Sequence, residues 1–304
     1  MAYRKSILAP LALVLLSVQV SAQDPPAPRT TVSLNGNWDR AITASPLCPE
    51  TNEAEWETVS VPHPDRGDAR GKSRFAWYRR NIDIPTEWTN QRVFLNLVGA
   101  RYHPRVYIDG QLIGERLEGW TPFELEISTH VVPGQTHRLD IGCQDWGAVF
   151  ADGYTLPQDA EGDLRRNDIL RGKLIAPIGG HYANFGIWDD AELLARPQTY
   201  LDDIAVDTSI RNGTLTVSGM LRGNLANATV RATVRDTGTA VLTPPLVTVQ
   251  DTGYWKLETA FGKCHLWSPE MPHLYELELL LADGSGKTVD RAALRFGFRE
   301  LWAE

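Results

Sequence analysis

The chain has 304 residues, of which 42% are apolar, and it carries a formal net charge of −8 with a pI near 5.4. An acidic balance argues against nucleic-acid binding, which needs a basic face. The length is enough for two domains of ordinary size, each with its own core. No run of five or more like charges indicates a charged tail.

The first 22 residues have the pattern of a secretory signal peptide. Arg4 and Lys5 form a charged start, an apolar run covers residues 7–18, and Val20-Ser21-Ala22 is a small-residue cleavage site. The apolar run is short for a membrane span, and no later segment is as long without a charge. We therefore expect export to the periplasm or the extracellular space, with no membrane contact after cleavage. A stiff, proline-containing linker should follow over residues 23–31.

Cysteines and histidines give no framework for a disulfide-rich or metal-centred protein. Cys48, Cys143 and Cys264 are an odd number and lie far apart, so at most one pair could form. Small buried side chains are the simpler interpretation of all three. The histidines contain no i, i+4 helical pair and no His-x-His, so we assign no metal ligand and no cofactor; Ca²⁺ binding by the acidic stretch after Cys143 stays open.

Short alternating segments predict an all-β sandwich over residues 32–198. Residues 56–62 and 75–85 alternate between apolar and polar side chains, and so do 105–108, 123–127 and 137–141. Asp109-Gly110 is a dipeptide that two-residue hairpin turns prefer. Many short strands separated by turns are typical of sandwiches and barrels. Trp38, Trp77 and Tyr78 are expected in the core.

A long irregular stretch, residues 143–181, interrupts this pattern. Loops of this length inside compact domains are usually functional or disordered. Sugar rings stack on aromatic side chains, and sugar hydroxyls need carboxylates or amides as partners. The stretch and its end offer such side chains at Trp146, Asp152, Tyr154, His181 and Tyr182. Carbohydrate contact is one interpretation; for Asp152, a capping role in a tight turn is the alternative.

The strand pattern restarts at Tyr200 and predicts a second sandwich over residues 199–300. Alternation recurs at 204–210, 215–221, 230–234 and 255–261, with a turn at Asn212-Gly213. About seven strands in roughly a hundred residues are typical of an immunoglobulin-like sandwich, here without its disulfide.

Two prolines and a final hairpin close the second sandwich. Pro269 and Pro272 exclude a central strand or a helix interior between them. Residues 275–281 then alternate as a strand with one buried face. Asp283-Gly284 predicts a turn with positive φ at Gly284, before a return strand over 289–296.

Five short motifs run along the chain in a fixed order. They are Leu34-Asn35-Gly36-Asn37-Trp38, Trp77-Tyr78-Arg79-Arg80, Gly186-Ile187-Trp188, the corner from Trp267-Ser268-Pro269 to Leu274-Tyr275, and Phe296-Gly297-Phe298-Arg299. Together they resemble glycoside hydrolase family 2, which includes β-galactosidases, β-glucuronidases and β-mannosidases. The resemblance implies a jelly-roll sugar-binding domain over 32–198, an immunoglobulin-like domain over 199–300 and the start of a (β/α)8 barrel at 301–304. Asp189 stands where a basic residue is common, which leaves the subfamily open.

The resemblance also implies a parent activity, the retaining hydrolysis of β-glycosidic bonds. Retaining glycosidases use two carboxyl groups about 5 Å apart. In the family both belong to the barrel, so we assign no catalytic residue here and expect this chain to be inactive alone. Asp152-Gly153-Tyr154 resembles a family loop that reaches toward the active site. Trp267, Phe296, Phe298 and Trp302 are expected to face the missing barrel.

Two other functions stay open at this point. A stand-alone carbohydrate-binding protein would keep the sandwiches and lose catalysis, and a structural or adhesive two-sandwich protein would bind no ligand. The ending Phe296-Gly297-Phe298-Arg299-Glu300 favours the family 2 interpretation, because a free-standing sandwich has no reason to keep a barrel-entry strand. The expected partners are therefore a carbohydrate and a catalytic barrel.

Overall fold

The computed structural model describes residues 29–50, 52–66, 75–116, 120–144, 184–223 and 226–301. The predicted signal peptide and residues 23–28 of the linker lie outside these residues. The described part is built of strands, and its helical content is one 3-10 turn, Thr86–Trp88. In the same part, no helix has the length and apolar character needed to cross a bilayer. The all-β prediction is confirmed.

The first sandwich contains the strands up to residue 196. They are β1 (Thr30–Ser33), β2 (Gly36–Thr43), β3 (Glu57–Val61), β4 (His63–Arg66), β5 (Phe75–Asp83), β6 (Arg92–Leu97), β7 (Ala100–Arg101), β8 (Arg105–Ile108), β9 (Gln111–Glu115), β10 (Phe123–Glu126), β11 (Thr136–Gln144), β12 (Asn184–Ile187) and β13 (Ala191–Arg196). They form sheets in the orders β1-β13-β6-β10, β3-β2-β5-β11-β8-β9 and β4-β12-β7.

One core joins the two larger sheets of this sandwich. Tyr78 and Ile141 from the six-stranded sheet and Leu95 and Leu193 from the four-stranded sheet belong to the same buried cluster. Trp38 lies in this cluster too, whereas Trp77 is buried on the other face of β5, in a smaller cluster with Phe75. The predicted core positions of Trp38, Trp77 and Tyr78 are confirmed.

The second sandwich begins at Tyr200. Its strands are β14 (Tyr200–Ser209), β15 (Thr214–Arg222), β16 (Thr229–Asp236), β17 (Thr239–Leu242), β18 (Val247–Thr248), β19 (Tyr254–Ala260), β20 (Tyr275–Ala282) and β21 (Thr288–Phe296). Sheet β14-β15-β19 packs against sheet β17-β16-β20-β21, with β18 paired to β16. The shared core contains Val217 and Trp255 from the first sheet and Val230 and Leu279 from the second.

Two of the predicted turns have different outcomes. Asp109 and Gly110 have φ angles of 49° and 82°, as a two-residue hairpin turn requires. The prediction of positive φ at Gly284 is wrong, because the left-handed residue of that turn is Gly286, with φ of 85°. The turn is longer than expected: the Asp283 carboxylate accepts hydrogen bonds from the backbone N–H groups of Ser285 and Lys287.

The three cysteines are free thiols in different environments. Cys143 is buried in the core of the first sandwich, as expected. Cys48 and Cys264 are only partly buried, so the expectation of three buried thiols holds for one of them.

A buried carboxylate ties the beginning of the first sandwich to the second. Asp290 of β21 is fully buried and accepts a hydrogen bond from Arg29 Nε at 3.0 Å. It also accepts one from the backbone N–H of Leu201 at 2.8 Å. Arg29 directly precedes β1, so one ion pair joins residues 261 positions apart in the sequence.

Candidate functional site

Aromatic and polar side chains gather where the chain enters and leaves residues 145–183. We call this group the insert-base cluster; it consists of Arg101, His103, Trp120, Gln144 and Trp188. The Arg101 guanidinium lies 4.0 Å from the ring centroid of Trp120, and the rings of Trp120 and Trp188 are 6.0 Å apart. His103 Nδ1 is 3.2 Å from the side-chain oxygen of Gln144.

Strand pairing fixes the backbone of this cluster. Arg101 lies on β7, which pairs with β12 through Gly186, and its Nε donates to the carbonyl of Asn184 at 2.6 Å. Gln144, the last residue of β11, exchanges two backbone hydrogen bonds with Tyr102. Gln144 and Asn184, the residues on either side of 145–183, are therefore both bonded to the segment Arg101-Tyr102.

The cluster combines the Arg101 guanidinium with an imidazole, an amide and two indole rings. Burial lowers the pKa of Arg101, but a guanidinium keeps its charge under any physiological condition. Its contact with the Trp120 face is a cation–π interaction, which is favourable by about 0.5–2 kcal/mol depending on desolvation. The Glu115 carboxylate contacts the cluster through His103: its Oε2 lies 3.0 Å from His103 Nε2 and 3.4 Å from Arg105 Nε.

A buried hydrogen-bond network of Tyr78, Asp65 and Arg40 packs against Gly186 of β12. Tyr78 donates its hydroxyl to Asp65 Oδ2 at 2.5 Å, and Asp65 also forms an ion pair with Arg40. Burial and the neighbouring Asp65 carboxylate raise the pKa of Tyr78 well above its usual value, so the phenol stays neutral. Gly186 packs directly on this hydroxyl, since a Cβ there would lie 2.3 Å from it.

A second exposed surface lies at the end of the second sandwich. Trp267 donates its backbone N–H to the carbonyl of Phe298 at 2.9 Å, and the Arg299 guanidinium covers its ring at 4.7 Å. The Glu300 carboxylate accepts hydrogen bonds from the backbone N–H groups of Ile210 and Arg211. Large apolar side chains on this part of the chain stay exposed, namely Leu266, Met271, Leu274 and Leu301. We call these four residues the C-terminal apolar surface.

Comparison with known families matches nearly the whole described chain. Residues 29–197 match the model for the sugar binding domain of glycosyl hydrolases family 2. Residues 199–299 match the model described as glycosyl hydrolases family 2. The chain belongs to glycosyl hydrolases family 2. The resemblance seen in the five sequence motifs is thereby confirmed.

Individual curated proteins are similar in sequence to this chain over part of their own length. A β-glucuronidase from Felis catus is 26% identical over 308 residues, which cover 90% of this chain and 45% of the relative. A β-galactosidase large subunit from Leuconostoc lactis is 24% identical over 229 residues, 74% of this chain and 32% of the relative. The chain thus spans less than half the length of these curated relatives.

A solved structure of a β-glucuronidase shows the same fold. The β-glucuronidase of Bifidobacterium dentium, complexed with coumarin-3-O-glucuronide, superposes with a TM-score of 0.67 at 20% sequence identity. The match covers 91% of this chain and 50% of that structure. At this identity, the likeness concerns the fold.

The structure does not describe the five residues predicted to contact carbohydrate. Trp146, Asp152, Tyr154, His181 and Tyr182 lie within residues 145–183, outside the described part, and their role stays a prediction. The described neighbours Arg101, Trp120 and Trp188 were not singled out for binding by the sequence reasoning. The run Arg101-Tyr102-His103 after an apolar strand was the signal available, since large polar and aromatic residues at a strand end are common in binding sites.

The four residues predicted to face a barrel differ in their exposure to solvent. Trp302 lies outside the described residues, and Trp267 is partly exposed beneath Arg299. Phe296 and Phe298 are only 7% and 1% exposed, because both point into the sandwich core against Phe261 and Tyr275. They are core residues in this structure, which corrects their expected place on the surface.

The buried carboxylates of the described residues have structural partners. Asp65 pairs with Arg40, Asp140 with Arg79 and Asp290 with Arg29. Each of them therefore lies in an ion pair with an arginine. For metal binding, the described residues bring together Asp236, His265 and His273, whose ligand atoms lie within 4.8 Å of one another.

Proposed function

We propose that this chain is the supporting, non-catalytic part of an exported family 2 glycoside hydrolase. In that enzyme a (β/α)8 barrel carries out the retaining hydrolysis of β-glycosidic bonds, and the two sandwiches brace it. The observation that carries the proposal is the order of the two family models, a sugar binding domain followed by the second family 2 domain.

The C-terminal apolar surface supports a barrel as the partner. Exposed leucine and methionine side chains are common singly, but Leu266, Met271, Leu274 and Leu301 all belong to the last segments of the second sandwich. Two of these positions flank the proline corner, which is rigid and therefore suited to packing. A family 2 barrel is the occupant that we propose for this surface, because the relatives extend well beyond the matched part.

Carbohydrate contact at the insert-base cluster is the second element of the proposal. Trp120 is 39% exposed although it lies over a buried arginine, so its ring is held rigidly and is still accessible. Gln144 and His103 are buried, so Trp120 is the member of the cluster that a sugar could contact. The B. dentium relative is described in complex with a glucuronide, which makes a β-glucuronide a reasonable first ligand to test.

Export belongs to the same proposal. The charged start, apolar run and small-residue site of residues 1–22 support it. Mass spectrometry of the secreted protein tests it, and a mature N-terminus at Gln23 is the expected result. Retention of the unprocessed chain in the cytoplasm would contradict export without affecting the assignment to the family.

The coding sequence after codon 304 is the direct test of the supporting role. A barrel sequence in the same frame, or on a neighbouring gene whose product co-purifies with this chain, is the expected finding. Substituting Met271 by Asp should then weaken the association with the barrel, whereas Val241→Asp, at an exposed apolar position elsewhere on the domain, should leave it unchanged. Equal effects of the two substitutions would refute the docking surface.

A stand-alone carbohydrate-binding protein is the alternative that the exposed Trp120 favours. A glycan array separates the two. Strong binding by the purified chain, lost in Trp120→Ala and kept in a Trp267→Ala control, would support it. Uniformly flat signals would count against it.

A further inference from the structure

We propose that Asp236, His265 and His273 form a binding site for one divalent transition-metal ion of the zinc class on the second sandwich. The three residues come from separate parts of the chain: Asp236 ends β16, His265 lies between β19 and β20, and His273 lies two residues before β20. His265 Nδ1 is 3.4 Å from Asp236 Oδ2, and His273 Nε2 is 3.2 Å from Asp236 Oδ1. All three potential ligand atoms lie within 4.8 Å of one another.

These distances are close to those of a tetrahedral metal site. Zinc bonds to nitrogen and oxygen of about 2.0–2.1 Å place neighbouring ligand atoms about 3.3 Å apart. Each imidazole is at about this distance from one oxygen of Asp236, although the two oxygens are different. An ion bound to one of these oxygens therefore needs the more distant imidazole to move closer, and the side chain of His265 is 71% exposed and so has room to rotate.

The hydrogen bonding of the cluster points to an additional partner. Asp236 Oδ1 and His273 Nε2 are both buried atoms, and neither makes a hydrogen bond, although they are 3.2 Å apart. Their separation is short enough for a hydrogen bond, so the angles between the two groups must be unsuitable for one. Buried polar atoms in folded proteins nearly always have a partner. A cation between the two atoms would satisfy both.

The surroundings hold the ligands in place. The His273 ring packs edge-on against His265 at 4.6 Å and against Tyr275 at 4.8 Å. The Tyr275 hydroxyl accepts a hydrogen bond from the backbone N–H of His265 at 2.8 Å. Asp236 leads into a tight turn in which Thr237 and Gly238 have positive φ angles. The site therefore has a fixed backbone at each of its three corners.

The ligand set selects the class of metal. Two imidazole nitrogens and one carboxylate suit Zn²⁺ and its neighbours Co²⁺ and Ni²⁺, whereas Ca²⁺ and Mg²⁺ prefer oxygen ligands. Three protein ligands leave a coordination position for water or a further group. A cleft of about 350 Å³, whose walls include Asp236, His265 and Phe261, opens beside the cluster and gives an ion access to it.

Binding of Zn²⁺ to the purified chain, prepared without a histidine tag, tests the proposal. Isothermal titration should show one site per chain, and Co²⁺ should give the visible absorption of a bound, low-symmetry ion. His265→Ala and His273→Ala should each weaken Zn²⁺ binding at least about a hundredfold, because even second-sphere changes at metal sites cost 10- to 100-fold. His130→Ala, in the first sandwich, is the matched control and should bind as the unchanged chain does.

The variants also distinguish the loss of a metal ligand from a loss of folding. Because His265 is largely exposed, His265→Ala should keep the circular dichroism and melting temperature of the metal-free chain. Zn²⁺ should raise the melting temperature of the unchanged chain and not that of His265→Ala. Equal Zn²⁺ affinity in all three histidine variants, no stoichiometric binding to the unchanged chain, or equally tight Ca²⁺ binding would each overturn the proposal.

Discussion

Replacing Asp290 with Asn tests how the two sandwiches are held together. The change keeps the size of the side chain and removes its charge. The Asp290 carboxylate is completely buried and accepts hydrogen bonds from Arg29 Nε, from Arg29 Nη2 and from the backbone of Leu201. An asparagine has only one carbonyl oxygen, so one of these donors loses its acceptor and meets an amide N–H instead.

The size of the effect follows from burial. Removing one partner of a buried ion pair costs about 3–5 kcal/mol of unfolding free energy. The Arg29 side chain is 27% exposed, so water partly replaces the lost carboxylate and the lower end applies. We expect Asp290→Asn to lower the free energy of unfolding by about 3 kcal/mol.

Urea unfolding followed by tryptophan fluorescence measures this change. Arg29→Ala and the double variant complete a double-mutant cycle, and a coupling of about 1–3 kcal/mol between the two residues is expected. Glu258→Gln removes a carboxylate from an exposed pair with Lys256 and should leave the unfolding midpoint in place. A loss below about 0.5 kcal/mol for Asp290→Asn, or strict additivity with Arg29→Ala, would show that this contact does not join the sandwiches.

Two further predictions concern a glycine and a thiol. Gly186→Ala should destabilise the first sandwich by about 3 kcal/mol or more, because the new Cβ meets the Tyr78 hydroxyl and φ is 93°. Gly36→Ala, also at positive φ but with open space around it, should cost only about 1 kcal/mol in the same urea assay, and equal losses would refute the steric argument. Burial and the Asp140 carboxylate raise the pKa of Cys48 to about 11, two units above the ordinary thiol value of 9.0. In a Cys264→Ser background, alkylation of the native chain at pH 8 should therefore be about a hundredfold slower than that of a free thiol; a rate similar to the free thiol would refute this.

Local pattern was sufficient for the strands that have one exposed face. Residues 275–281 alternate in sequence, and β20 alternates in burial along the same residues. Strand β6 was missed, because Val93, Phe94 and Leu95 are all buried and give no alternation. A strand in the middle of a sheet with both faces covered has no period-2 signal.

The sites could be predicted less well than the fold, because they depend on contacts between distant residues. Phe296 and Phe298 carry the family motif, but their side chains point inward, and sequence alone does not distinguish a motif needed for the core from one needed for docking. The three metal-site residues are separated by 29 and 8 positions, 236 to 265 and 265 to 273, so no local ligand spacing reveals them. Arg101 and Trp120 are likewise distant in the sequence, and their contact exists only in the folded chain.

Hydrolysis of nitrophenyl β-glucuronide and β-galactoside tests the supporting role most directly. The purified chain alone should release no nitrophenol above the rate in buffer, and addition of a family 2 barrel encoded with it should restore turnover. Steady turnover by the purified chain without any barrel would contradict the account, because the two sandwiches would then contain a catalytic pair of carboxyl groups of their own.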